Sequence, residues 1–137
     1  MKHCLIAFLC VLTVLSLNAV EVSDKLLYAL KMAESGGKSH AIGDSGKAVG
    51  ILQLHKVYVD DANRIVGYKK YSYNDRYDVR KSEEMTRIVL THYGKHYERK
   101  TGKRCTVEVL ARIHNRGFSQ WNDKLGERYW NRVKQFM

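Results

Sequence analysis

Apolar residues recur along this chain at helical spacing, and the residue that most firmly interrupts a helix is missing: none of the 137 positions is proline. Proline lacks the backbone N–H and clashes with the turn before it. Without it long helices are permitted and proline-rich linkers are excluded. Leu26, Leu27, Leu30 and Ala33 predict a first helix over 24–34, capped by Ser23 or Asp24. Leu54, Val57, Tyr58, Asp61, Ala62 and Ile65 predict a second over 54–66, ended by Gly67. The third and longest carries Met85, Ile88, Val89, His92, Tyr93 and His96, with Glu83 and Glu84 early and Arg99 and Lys100 late, as the helix dipole favours. Thr106 opens a fourth that ends at Asn115-Arg116-Gly117, and Tyr129, Trp130, Val133 and Phe136 mark the last. No stretch alternates in the β manner. The expected fold is mainly α, a domain of about five helices, with room for a short β hairpin in the Gly/Ser/Asp-rich loop at 39–51.

The amino terminus reads differently. Lys2 and His3 precede an apolar run from Cys4 to Leu17 and a small residue at Ala19, the order of a secretory signal. The expected organisation is therefore a leader over 1–19 and one domain over 20–137, exported to the periplasm, envelope or exterior. The run is shorter than the roughly 20 residues that span a bilayer, so no stable insertion is expected after cleavage; an uncleaved anchor is the alternative. Cys4 and Cys10 leave with the leader, so Cys105 has no disulfide partner and reads as a small buried residue. With 45% apolar and 28% charged residues, the composition is that of a globular domain. The net charge of +10 suits a polyanionic partner. The Lys and Arg residues are scattered over every helix face, which argues against a nucleic-acid groove.

Glu34 is the sharpest chemical feature. It stands four residues after Leu30 and seven after Leu27, so it points along the buried stripe. A carboxyl there loses solvent and holds its proton, as the general acid of glycoside cleavage must. A helix-terminal Glu that swings into water is the plain alternative. Asp61, on the apolar face of the second helix, and Asp44, Asp75 and Asp78, in or beside loops, are the candidates for a second carboxylate, and capping roles suit the last three. The tyrosines at 68–77 can stack on sugars or brace a loop. His92 and His96 share a helix face but lack a third metal ligand; neither metal nor cofactor is expected.

Several motifs then fall in order. Ala33-Glu34-Ser35 precedes a small-residue turn at 41–46 and Gly50-Ile51-Leu52-Gln53; Tyr77-Asp78-Val79-Arg80-Lys81-Ser82 leads into the third helix. Ala111-Arg112-Ile113-His114-Asn115-Arg116-Gly117 and Arg128-Tyr129-Trp130-Asn131-Arg132-Val133 follow. Together these resemble the soluble lytic transglycosylases, members of the lysozyme-like superfamily, over about 24–134. The resemblance implies peptidoglycan as substrate and Glu34 as the single catalytic acid/base. It implies cleavage of the MurNAc–GlcNAc bond with a 1,6-anhydro product; a monomer is the default expectation, working alone or beside envelope machinery. It also implies substrate-side roles for Ser35, Gln53, His114, Asn115 and Tyr129, and Gly50 would let the backbone approach the glycan. His114 stands where the family most often has Tyr, and Arg116 where a small residue is usual; Arg116 would clamp a substrate carboxylate or point into solvent. A hydrolysing muramidase, like goose-type lysozyme, is the nearest alternative function, and a non-catalytic glycan-binding module the next.

Overall fold

The computed structural model describes residues 19–137. The leader expected over 1–19 lies outside them apart from Ala19, while Val20 and Val22 just beyond it are buried in the core. Five α-helices follow: α1 (Asp24–Ser35), α2 (Lys56–Val66), α3 (Val79–Thr101), α4 (Val107–Arg116) and α5 (Lys124–Val133). A hairpin of two short antiparallel strands, β1 (Ile42–Gly43) and β2 (Ala48–Val49), pairs Ile42 with Val49 and Gly43 with Ala48. The mainly α architecture and the hairpin both agree with the sequence.

Local chemistry sets the helix ends. Ser23 Oγ accepts from the Leu26 N–H, Asp78 from Lys81, Thr106 from Val109 and Asp123 from Gly126, so four N-termini have side-chain caps. Left-handed Gly36, Gly67 and Gly102 close α1, α2 and α3. The 23 residues of α3 make it the spine of the molecule. It packs on α2 along one face and on α4 along another, while α5 lies against α4 and α1. Leu26, Leu27 and Leu30 of α1 are fully buried with Leu52, Leu54, Val59, Met85, Leu90, Leu110 and Val133. This shared core takes the place of any disulfide. Cys105 is half-buried, and burial pushes its thiol up to about 12, which makes it inert packing. His92 and His96 sit edge-on to Tyr93 and Phe118, as members of an aromatic cluster.

The segment between hairpin and α2 departs from the periodicity. Leu54 was expected to open α2, but its N–H and C=O are both bonded to Val49, at 3.0 and 3.2 Å, and the helix begins at Lys56. Gln53 is in the left-handed region at φ 49°, inside a turn rather than at a helix start. Arg76, only 6% exposed, donates through Nε to the Tyr73 carbonyl and through Nη1 to those of Lys47 and Leu54. One buried guanidinium thus satisfies three backbone acceptors and ties the hairpin to the chain that leads into α3.

Gly50 belongs to the same knot. A Cβ there would sit 1.9 Å from the Arg76 carbonyl oxygen, and its φ is 81°. Its close neighbour is protein backbone rather than the glycan expected from the sequence. Gly50→Ala is expected to lower unfolding free energy by about 3 kcal/mol or more, combining left-handed strain with overpacking. Chemical denaturation measures it, and a loss below about 1 kcal/mol would contradict this account of the turn.

Candidate active site

Glu34 lies in the last turn of α1, just before Gly36 turns the chain away. Its side chain is 13% exposed, because α4 and α5 close over it. Burial holds the carboxyl above its ordinary range, partly offset by the Tyr129 hydroxyl and the charge of Arg132, both on α5. The Tyr129 hydroxyl is itself buried and completes no hydrogen bond of full geometry, yet it and Glu34 perturb each other's ionisation. It is a donor placed for the carboxylate. A carboxyl of raised pKa at the mouth of a cleft, with a donor ready for its charged form, has the features that general acid and then general base work require.

The second neighbour comes from α4. His114 Nε2 stands 3.7 Å from Glu34 Oε1, and His114 Nδ1 lies 3.2 Å from the Tyr58 hydroxyl on α2. The two rings meet edge to face at 5.5 Å. His114 was expected on the substrate side, but its side chain is 3% exposed and both nitrogens face protein groups. Burial lowers its pKa to about 4, so the ring is neutral at ordinary pH. Tyr129 reaches the carboxyl as the resemblance implied, but at 3% exposure it meets Glu34 rather than a sugar.

A cleft of about 620 Å³ opens beside these groups, between the hairpin, α2 and the end of α4. Glu34, Gln53, His114 and Asn115 all line it, so the structure brings together most of the expected site. Asn115 is exposed, and among the described residues no hydrogen bond holds its side chain; Gly117, not Asn115, caps α4. Gln53 commits its Nε2 to the Ala41 and Gly50 carbonyls, at 3.0 and 2.8 Å, which leaves Oε1 as its open group. Ser35 does not serve the carboxylate. Its Oγ bonds the Ile51 carbonyl at 2.8 Å and accepts from the Lys38 N–H at 3.1 Å, fastening α1 to the turn. Arg116 also borders the cleft but does not point freely into water: it binds Asp123 Oδ2 at 2.7 and 2.9 Å and so joins α4 to the cap of α5.

Asp44 and Asp61 also line the cleft. Asp61 is held by Arg64 at 2.5 and 3.0 Å; Asp44 lies 3.3 Å from His55 with its side chain half exposed. Asp75 and Asp78 are caps, as their loop positions suggested. The tyrosines at 68–77 are away from the cleft. Tyr71 is core, while Tyr68 and Tyr73 border a separate groove beside α2. The aromatic residues of the cleft are instead Tyr58, Tyr93 and Phe118. The first two were legible only as members of helical stripes, and nothing in the spacing marked Phe118.

The family model for the transglycosylase SLT domain matches residues 16–136, nearly the whole chain. The chain belongs to the SLT transglycosylase family. No curated protein sequence matches this SLT domain. Among solved structures it is similar to the lysozyme of Tapes japonica, at 25% identity and a TM-score of 0.68 over 85% of this chain and 93% of the other. The SLT domain is accordingly a glycan-cleaving enzyme of the lytic transglycosylase or lysozyme-like kind, with a lysozyme-like fold, in a family that acts on peptidoglycan strands in the cell envelope.

Holding Glu34 out of water has a consequence for stability. Its folded pKa lies above the unfolded value near 4.5, so its linkage contribution is fully present below that pH and is lost as pH rises through the folded pKa. Glu34→Gln is therefore expected to raise stability at pH 7 by about 0.5–2 kcal/mol, the scale usual when a functional site is relaxed. The gain should vanish toward pH 4. Paired thermal melts of the two proteins across that window check it, and a gain that grew on acidification would show that the carboxyl is not desolvated.

Proposed function

We propose that this SLT domain cleaves the β-1,4 bond between N-acetylmuramic acid and N-acetylglucosamine in peptidoglycan, with Glu34 as the only acid/base. Protonated Glu34 gives its proton to the linking oxygen as that bond breaks. The substrate's own N-acetyl oxygen steadies the cationic sugar carbon. Glu34, now a carboxylate beside the Tyr129 hydroxyl, takes the proton of the muramic acid C6 hydroxyl, whose oxygen closes the 1,6-anhydro ring. No water is consumed and Glu34 ends as it began. Gln53 Oε1 and the Asn115 amide offer an acceptor and a donor–acceptor pair to sugar hydroxyl and N-acetyl groups. The enzyme works as an exported monomer on the envelope, alone or beside its machinery.

One observation carries this reading. Among the described residues, Glu34 is the cleft carboxyl shut away from solvent, while Asp61 is occupied by Arg64 and Asp44 stays largely wet. A second reading has its own support: Asp44 stands in the same cleft on the hairpin, and a lysozyme shares the fold. A hydrolysing muramidase would use water where the transglycosylase uses the C6 hydroxyl.

Mass spectrometry of purified peptidoglycan after digestion separates them. The expected fragments are lighter by one water than hydrolysed ones. Glu34→Gln is expected to lower their release by about 10²–10⁴-fold. Hydrated ends would transfer the assignment to the muramidase, undiminished release by Glu34→Gln would refute Glu34 as the acid, and binding without release by the wild type would leave only a glycan-binding module.

A further inference from the structure

A chain of polar groups runs through the interior behind Glu34 and is absent from the reaction just described. Thr86 of α3 faces the Tyr58 hydroxyl of α2, which meets His114 Nδ1 of α4 at 3.2 Å; His114 Nε2 then looks toward Glu34 Oε1 of α1 at 3.7 Å. The ring contact between Tyr58 and His114 fixes the orientation of both. Burial keeps the imidazole neutral, so it has one N–H to place.

We propose that Tyr58 and His114 are positioning residues for Glu34: the Tyr58 hydroxyl donates to His114 Nδ1, fixing the imidazole proton on Nε2, and that N–H is aimed at the carboxylate left when Glu34 gives up its proton. The inference rests on Glu34 being the acid. A neutral carboxyl needs no closed bond, which suits the gap of 3.7 Å. Once charged, Glu34 would draw the N–H to the usual charge-assisted separation of about 2.8 Å. With the Nδ1–H tautomer instead, a lone pair would face Glu34 and oppose its ionisation. The other ionisable groups around the site are Tyr129 and Arg132 of α5 against Glu34, and Asp61 of α2 and Tyr93 of α3 near Tyr58. The Leu52 carbonyl also draws on an imidazole N–H, so it competes with Glu34 for the single N–H of the neutral ring.

Carbon NMR of Glu34, labelled at its carboxyl, reads the ionisation directly, and nitrogen-coupled NMR of His114 reads the tautomer. The wild type is expected to show Nε2–H. Tyr58→Phe keeps the ring and removes the donor; it should raise the midpoint of Glu34 ionisation by about one pH unit, a tenfold change in ionisation ratio. His114→Leu should do the same, and His114→Gln, which restores an amide donor, should return the midpoint toward wild type. The alkaline limb of glycan release should move with these midpoints, whereas a packing defect would lower the rate at all pH values alike. An Nδ1–H tautomer in the wild type overturns the proposal even if no variant folds. So does an unmoved midpoint in a Tyr58→Phe protein that melts like wild type. The two failures are separable: a Glu34→Gln enzyme that still cuts glycan refutes the acid assignment, while an unmoved carbon signal refutes only the relay.

Discussion

A carboxyl removed from water at the end of a helix is unfavourable unless something else requires it, and the arrangement of this protein follows from keeping Glu34 there. The leucine stripe of α1 aims the side chain inward; α4 and α5 cover it; α2 and α3 supply the polar groups behind. Thr86, Tyr58, His114, Glu34 and Tyr129 stand on five different helices, so a displacement of any one helix disturbs the environment of the acid. The buried ends of the chain, Thr86 Oγ1 and the Tyr129 hydroxyl, complete no bond of full geometry. Unsatisfied buried donors cost free energy, and in the proposed reaction the Tyr129 hydroxyl would be held for the charged form of Glu34.

The opposite wall of the cleft depends on backbone. Between Ala41 and Leu54 the chain buries Ile51, Leu52 and Leu54 in the core, and its carbonyls are collected by Arg76, Gln53 and Ser35. Three polar side chains with separate attachments make this segment a rigid wall, although its regular structure is only two strands of two residues each. A rigid wall would matter for the proposed proton transfer, because a shift of an ångström in the position of the linking oxygen relative to Glu34 is costly in rate.

Legibility in the sequence divides along the same line. Helix faces follow from periodicity, so the stripe of Leu26, Leu27 and Leu30, the caps at Ser23, Asp78 and Thr106, and the inward direction of Glu34 could all be read without coordinates. Leu54 was misplaced because a fully buried residue in a β bridge has the same apolarity as one that opens a helix. Ser35 and Gln53 carry the right chemistry for sugar binding, but spacing cannot say whether a hydroxyl or amide meets a ligand or the protein's own carbonyls. Arg76 gave no signal: a basic residue in a polar loop looks solvated, and its burial depends on three carbonyls brought together only by the fold. Tyr58 and Tyr93 were visible as stripe members and invisible as cleft residues, since both roles ask for the same position on the helix.

His114 brings the two halves of the site into one physical statement. A histidine 3.7 Å from a carboxyl would, at a wet surface, form an ion pair near neutral pH. Such a pair would ionise Glu34 and remove the proton that the proposed reaction needs. Desolvation opposes it, acting in opposite directions on the two groups: it raises the pKa of the carboxyl and lowers that of the imidazole. Burial of both charges would require their attraction to repay two desolvation penalties, which a gap longer than a hydrogen bond does not favour. Both shifts favour the neutral pair, with His114 in contact with Tyr58. A tyrosine at position 114 could offer one O–H to the carboxyl. A histidine offers an N–H whose placement depends on its other partners, which in the proposed relay extends control of Glu34 from its contact shell to Tyr58 on α2.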